Sequence, residues 1–126
     1  MKRLVTAVVL LAVLVGVCIG CRWELARLAD ALSAEVETFS TLTWEGNITQ
    51  AQETLLAARE GWRSNRTLLG AVLPHTELDE IERLFEAALQ AAENGDLSEC
   101  RMQAAELRAL LRHLPEREEP SLANIF

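Results

Sequence analysis

Cysteine and histidine are scarce in this chain, and their scarcity removes most chemistry at once. There are three cysteines and two histidines in 126 residues, and only one cysteine, Cys100, lies beyond residue 21. A domain with one thiol has no disulfide framework. No G-x-S-x-G is present, and Cys100 has no histidine near it in sequence. The residues three before His75 and His113 are Val72 and Leu110, so the Glu-x-x-His pairs of di-iron bundles are missing. We therefore expect no enzyme and no cofactor. Basic residues are sparse as well. Setting aside Lys2 and Arg3, the formal charge of −7 for the whole chain becomes −9 from residue 22 onward. Such a domain repels nucleic acid and anionic headgroups, so no nucleic-acid partner is expected. Tyrosine is absent, and six glycines and three prolines leave few breaks. Ala, Leu, Glu and Arg fill the rest, which is helix composition.

What is present begins at the N-terminus. Leu4 to Cys21 carries no charge. At 1.5 Å per residue these 18 residues span about 27 Å of helix, close to the thickness of a bilayer core. Residues 1–21 are expected to form a membrane anchor, contacting lipid through residues 4–21. Lys2 and Arg3 place the N-terminus in the cytoplasm and the remainder outside. A cleaved signal peptide is a second reading, without an A-x-A-like site to support it. A third is a lipoprotein signal processed at Cys21, since Gly20 precedes it. Cys18-Ile19-Gly20-Cys21 also has the spacing of a redox pair, but no βαβ pattern surrounds it. Trp23, just past the apolar run, suits the membrane interface.

From residue 22 to 114 the period is helical, and the expected fold is all-α. Leu25, Leu28, Leu32, Val36 and Phe39 mark one face of a first helix, 22–40, with the helix-poor Ser40-Thr41-Leu42-Thr43 as its break. A second helix, 44–72, carries Ile48, Ala51, Leu55, Ala58 and Trp62, with Thr43 or Asn47 as N-cap and Gly61 and Gly70 as weak points. A third, 76–94, opens on Thr76-Glu77 and carries Leu78, Ile81, Phe85, Ala88 and Ala92, widened by Leu84 and Leu89. Asn94-Gly95 supplies its left-handed cap. A fourth, 96–114, is capped by Asp96 with Glu99 reaching back, carries Leu97, Cys100, Ala104, Leu107, Leu111 and Leu114, and stops at Pro115. Short loops make such helices antiparallel, giving an up-down four-helix bundle beyond the transmembrane helix. Two α-hairpins resembling TPR repeats are the alternative. Residues 115–126 form a charged linker and an apolar tail in which Leu122, Ile125 and Phe126 are set to dock on the bundle or on a partner.

Several of these segments together resemble one family. They are the charged N-terminus with its anchor, Trp44-Glu45, Trp62, His75-Thr76-Glu77-Leu78-Asp79-Glu80-Ile81-Glu82, Asn94-Gly95-Asp96, His113-Leu114-Pro115-Glu116 and the terminal Ser121-Leu122-Ala123-Asn124-Ile125-Phe126. The chain is similar in these to the bacterial domain-of-unknown-function family 4363, small single-span helical proteins. It departs from that pattern at Gly46-Asn47 and in having Arg for nearly all Lys. The resemblance implies topology and fold class. It implies no activity, so no functional residue is carried over.

The remaining candidates weigh mostly toward structure. His75 and His113, with Glu77 and Glu116, could hold zinc, or could simply end helices, His113 favourably at a helix C-terminus. Asn47-Ile48-Thr49 and Asn65-Arg66-Thr67 match the glycosylation sequon by coincidence. The acidic run from Glu77 to Glu82 is a favourable helix start or a docking face for a basic partner. Trp44 and Trp62 are expected on the core stripe of the second helix, or as partner contacts. Function is expected to be interaction at the cell envelope, with another envelope protein or its own copy. A ligand sensor with a pocket near Trp44 and Trp62 and a structural stalk are the alternatives.

Overall fold

The computed structural model describes residues 1–117, in five helices: α1 Lys2–Trp44, α2 Ile48–Ser64, α3 Arg66–Val72, α4 His75–Glu93 and α5 Leu97–Arg117. The fold is all-α. α1 packs on α2 and α5, and α4 packs on α2 and α5, so α1, α2, α4 and α5 form the corners of an antiparallel four-helix bundle. α3 fills in between α2 and α4. Since α1 leaves the apolar segment, the 45–47 and 94–96 turns lie at the far end of the bundle. The α2–α3–α4 connections and the end of α5 lie at the near end.

α1 is one helix from the apolar segment into the bundle. Residues 1–20 are exposed all round, and burial begins at Leu25 and continues through Ala29, Leu32, Ser33, Val36, Phe39 and Thr43. Among the described residues this is one helix long and apolar enough to cross a membrane. No structural break marks residue 21. The expected end at Ser40–Thr43 is corrected: the helix runs on to Trp44. The hydroxyls of Thr41 and Thr43 donate to the carbonyls of Glu37 (3.1 Å) and Phe39 (2.8 Å), so they are satisfied inside the helix. Thr43 is thus a core residue of α1, not the cap of the next helix, and Asn47 stands at the N-cap position of α2.

Both far-end turns end their helices in the same way. Asn47 N–H donates to Leu42 O and Gly46 N–H to Thr43 O; Asp96 N–H donates to Ala91 O and Gly95 N–H to Ala92 O. These are Schellman pairs, and Gly46 (φ +81°) and Gly95 (φ +72°) occupy the left-handed position that other residues rarely adopt. The cap expected at Gly95 is present. The second one, at Gly46, replaces the helix start expected at Trp44. Asp96 caps α5 by accepting from Glu99 N–H at 3.1 Å. Its own N–H is already committed to Ala91, so Glu99 has nothing to reach back to and accepts from Gln103 instead (2.7 Å).

Three further boundaries differ from expectation. The second helix does not reach residue 72 unbroken. At Asn65 (φ −102°, ψ 10°) the side-chain amide donates to Gly61 O at 2.8 Å and Ser64 Oγ donates to the same carbonyl at 3.1 Å, displacing the regular ladder. α4 begins at His75 with Pro74 at its N-cap, so Thr76 lies inside the first turn and makes no cap hydrogen bond. α5 passes through Pro115 to Arg117, since one missing N–H near a helix end removes one bond only.

The core is the set of stripes the period marks. Trp62, Phe39 and Phe85 are its largest fully buried side chains, and Leu25, Leu55, Leu69, Leu78, Ile81, Leu107 and Leu111 surround them. Outside it, α2 and α4 are joined by exposed ion pairs: Arg59 and Arg63 both reach Glu86 (2.6 and 3.1 Å). Arg66 at the start of α3 reaches Glu82 (2.6 Å). Exposed pairs of this kind contribute about 0–1 kcal/mol each, so the core decides stability.

Candidate interaction surface

The two tryptophans expected to share one stripe lie on different helices and serve different ends. Trp62 of α2 is completely buried, tilted 41° against Phe85 of α4 with ring centroids 6.4 Å apart. Its Nε1 is enclosed without a hydrogen-bond acceptor. Trp62 is therefore a packing residue. Trp44 is not on α2 and not in the core. It is the last residue of α1, 66% exposed, at the far end of the bundle. The Gly46 turn resets the helical phase after residue 44, so Trp44 keeps the phase of α1, where it sits one step off the buried face at Thr43.

Trp44 is nevertheless held in place. The guanidinium carbon of Arg101, one turn into α5, lies 3.2 Å from the ring centroid. A cation over an indole face stabilises by about 0.5–2 kcal/mol and fixes the rotamer of both side chains. Arg101 makes no ion pair among the described residues, and its Nε is enclosed without an acceptor. Around this stacked pair the far end is acidic in sequence, with Glu45, Glu53, Glu93, Asp96 and Glu99 on its turns and helix ends. Met102, 57% exposed, is the next residue along α5. Trp and Arg are both enriched among the few residues that carry most of the binding energy at protein interfaces.

The other candidates fall elsewhere. His75 is the first residue of α4 and His113 is in the next-to-last turn of α5, both at the near end. Among the described residues no group of three His, Cys, Asp or Glu is placed to hold a metal ion. Cys18 is exposed, Cys21 half-buried and Cys100 buried, all as free thiols. Leu122, Ile125 and Phe126 lie outside the described residues.

Cys100 sits on the core stripe of α5, completely enclosed, its thiol donating weakly to Ala88 O at 3.9 Å. Burial pushes the thiol pKa above its ordinary value, and the carboxylates of Asp96 and Glu99 push it the same way. The folded state therefore holds its proton at a pH where the unfolded thiol has lost it. Stability is unaffected below the unfolded pKa of about 8.5 and falls as pH rises above it, toward the folded value. Cys100→Ala should flatten the alkaline limb of a stability–pH curve measured by urea unfolding. An unchanged slope in the variant would show that other groups set it.

A family model described as Domain of unknown function (DUF4363) matches residues 22–125. No curated protein and no solved structure matches the chain.

Proposed function

We propose, for a chain that belongs to the DUF4363 family, that it is a membrane-anchored interaction module of the cell envelope. In this reading residues 4–21 span the membrane, Lys2 and Arg3 hold the N-terminus in the cytoplasm, and the acidic bundle faces outward. The observation that carries it is Trp44: a two-thirds exposed indole, stacked on Arg101, at the far end of a bundle whose first helix begins in the apolar segment. That position presents a pre-ordered anchor side chain to a partner at the greatest distance from the bilayer the fold allows. The partner is an envelope protein with an apolar pocket for the indole and a carboxylate for the Arg101 edge.

A photo-crosslinking amino acid at exposed Met102, next to the Arg101 that stacks on Trp44, in the full-length chain in native membranes, tests the reading. A discrete protein adduct at 102, absent with the same group at exposed Ala57 on α2, is expected. Adding Trp44→Ala should abolish that capture, since interface anchors of this type contribute about 2 kcal/mol or more, roughly thirtyfold in affinity. It should change bundle stability by only about 1 kcal/mol, the share of the lost cation–π contact. No adduct at 102, adducts equal at both positions, or capture that survives Trp44→Ala would end this assignment.

A further inference from the structure

Trp44 and Arg101 stand at one end of a trough that runs down the bundle between α1 and α5. The trough measures about 330 Å³, with Ser40 on its α1 side and Ala105, Ala109 and Arg112 on its α5 side. Trp44 follows Ser40 by one turn of α1, and Arg101 precedes Ala105 by one turn of α5, so the stacked pair closes the far end. The trough exists because Ala104, Ala105 and Ala109 are too short to fill the space beside Val36. Ala105 and Ala109 are exposed in it.

The charge of this face opposes that of the domain. From residue 22 onward the chain has a formal charge of −9. Along the trough stand Arg108 and Arg112, with Arg101 at its end, against Glu37 as the one carboxylate among the lining residues. Glu37 is already held by Arg108 at 3.5 Å. Arg27, Arg59, Arg63, Arg66 and Arg83 also have carboxylate partners. Arg101 and Arg112 have none among the described residues. These two are eleven residues apart, three turns of helix to within about 20°, so they leave α5 along the same edge about 16 Å apart.

A helix suits this space better than an extended chain. A strand needs partners for its backbone groups, and those of α1 and α5 are committed to their own ladders, whereas a helix arrives with its backbone satisfied. An alanine floor lets a second helix axis come within about 8–10 Å. Docking of this kind sets apolar residues at three- and four-residue spacing into the groove. We propose that the α1–α5 trough receives an amphipathic helix of a partner protein, apolar toward Ala105 and Ala109 and carrying carboxylates about three turns apart that pair with Arg101 and Arg112. The proposal rests on the reading of Trp44 as a partner anchor and extends it, with Trp44 the end of the site and the trough its length.

The test uses the full-length protein in nanodiscs holding one copy each, with two labelled synthetic peptides of about 18 residues, about 27 Å of helix. Both are stapled amphipathic helices with Ala and Leu on one face; one carries Glu and the other Lys at two edge positions three turns apart. Fluorescence anisotropy should show the Glu peptide binding about tenfold tighter than the Lys peptide. Arg112→Glu should weaken the Glu peptide about tenfold and strengthen the Lys peptide. Ala105→Gln with Ala109→Gln, both at exposed positions, should block the Glu peptide and also the adduct at Met102 in native membranes. The melting curve of each variant checks that the bundle is intact. Equal binding of the two peptides, binding of neither, or Glu-peptide binding that survives the two glutamines overturns the proposal. An adduct at Met102 that needs Trp44 but survives the two glutamines overturns it while leaving the reading of Trp44 in place. Failure of that reading shows separately, as no adduct at Met102 in the otherwise unaltered chain, and overturns both. Glu-peptide binding that disappears when two copies share a disc overturns the proposal as well, and assigns the trough to the second copy.

Discussion

Leu10→Arg combined with Leu14→Arg is expected to move the protein out of the membrane fraction, or to prevent its insertion, while leaving the bundle folded. Each arginine near the centre of an inserting helix disfavours insertion by about 2.5–3.5 kcal/mol. Two of them outweigh the gain from the remaining Leu and Val in a run of this length. Both positions lie in the fully exposed first half of α1, and burial in the bundle starts only at Leu25. The helical melting transition should therefore stay where it is. Sedimentation after alkaline extraction checks the first expectation, and thermal unfolding followed by circular dichroism checks the second. The wild-type chain should keep residues 1–20 in its intact mass. A diacylglycerol adduct on Cys21 with those residues lost would replace the anchor by a lipoprotein.

Trp62→Ala should remove a large share of the bundle's stability. Truncating a completely buried Trp that leans on Phe85 removes about 3–5 kcal/mol, against a total stability of about 5–15 kcal/mol for an ordinary domain. Trp62→Phe should be far milder. It leaves a smaller cavity, and it removes an indole N–H that is enclosed without an acceptor, a situation that itself costs about 1–3 kcal/mol. Urea unfolding of the three forms gives the comparison. Equal losses for Phe and Ala would mean that the second ring of the indole, or an unseen partner of its N–H, is what the core requires.

These two expectations differ in how much of them could be read before the fold. The apolar run needs only its own length and composition. The stripes of α1, α2, α4 and α5 are equally local, because a helix that buries one face must place its large apolar residues three and four apart. Leu25, Phe39, Leu55, Phe85, Cys100 and Leu111 are all buried where the period places them. Asn94-Gly95-Asp96 is legible for the same reason: a positive-φ glycine followed by a capping Asp acts within one turn.

Trp44 shows where local reasoning fails. Ile48, Ala51 and Leu55 extend backward by three and four to residue 44, so the period alone assigns Trp44 to α2 and to the core. The helix that claims it is α1, and the reason is tertiary. Weak helix propensity in Ser40-Thr41-Leu42-Thr43 amounts to a few tenths of a kcal/mol per residue, and burying Phe39 and Thr43 against the rest of the bundle exceeds it. Once α1 runs to residue 44, Gly46 turns the chain and Trp44 is left outside, where Arg101 covers it. The break at Asn65 is similar, since side-chain amides compete with the ladder only where packing holds the chain for them.

The sequence by itself therefore determined an apolar N-terminal segment long enough to cross a membrane, an acidic helical domain, the faces its helices bury and one of its turns, because each follows from spacing or composition within a few residues. The tertiary structure decided that α1 runs through Ser40–Thr43 to Trp44, that α2 ends at Ser64, and that Trp62 is core and Trp44 surface. Those outcomes depend on which helix end wins a contested segment and which helices become neighbours, and both are settled by packing across the whole bundle.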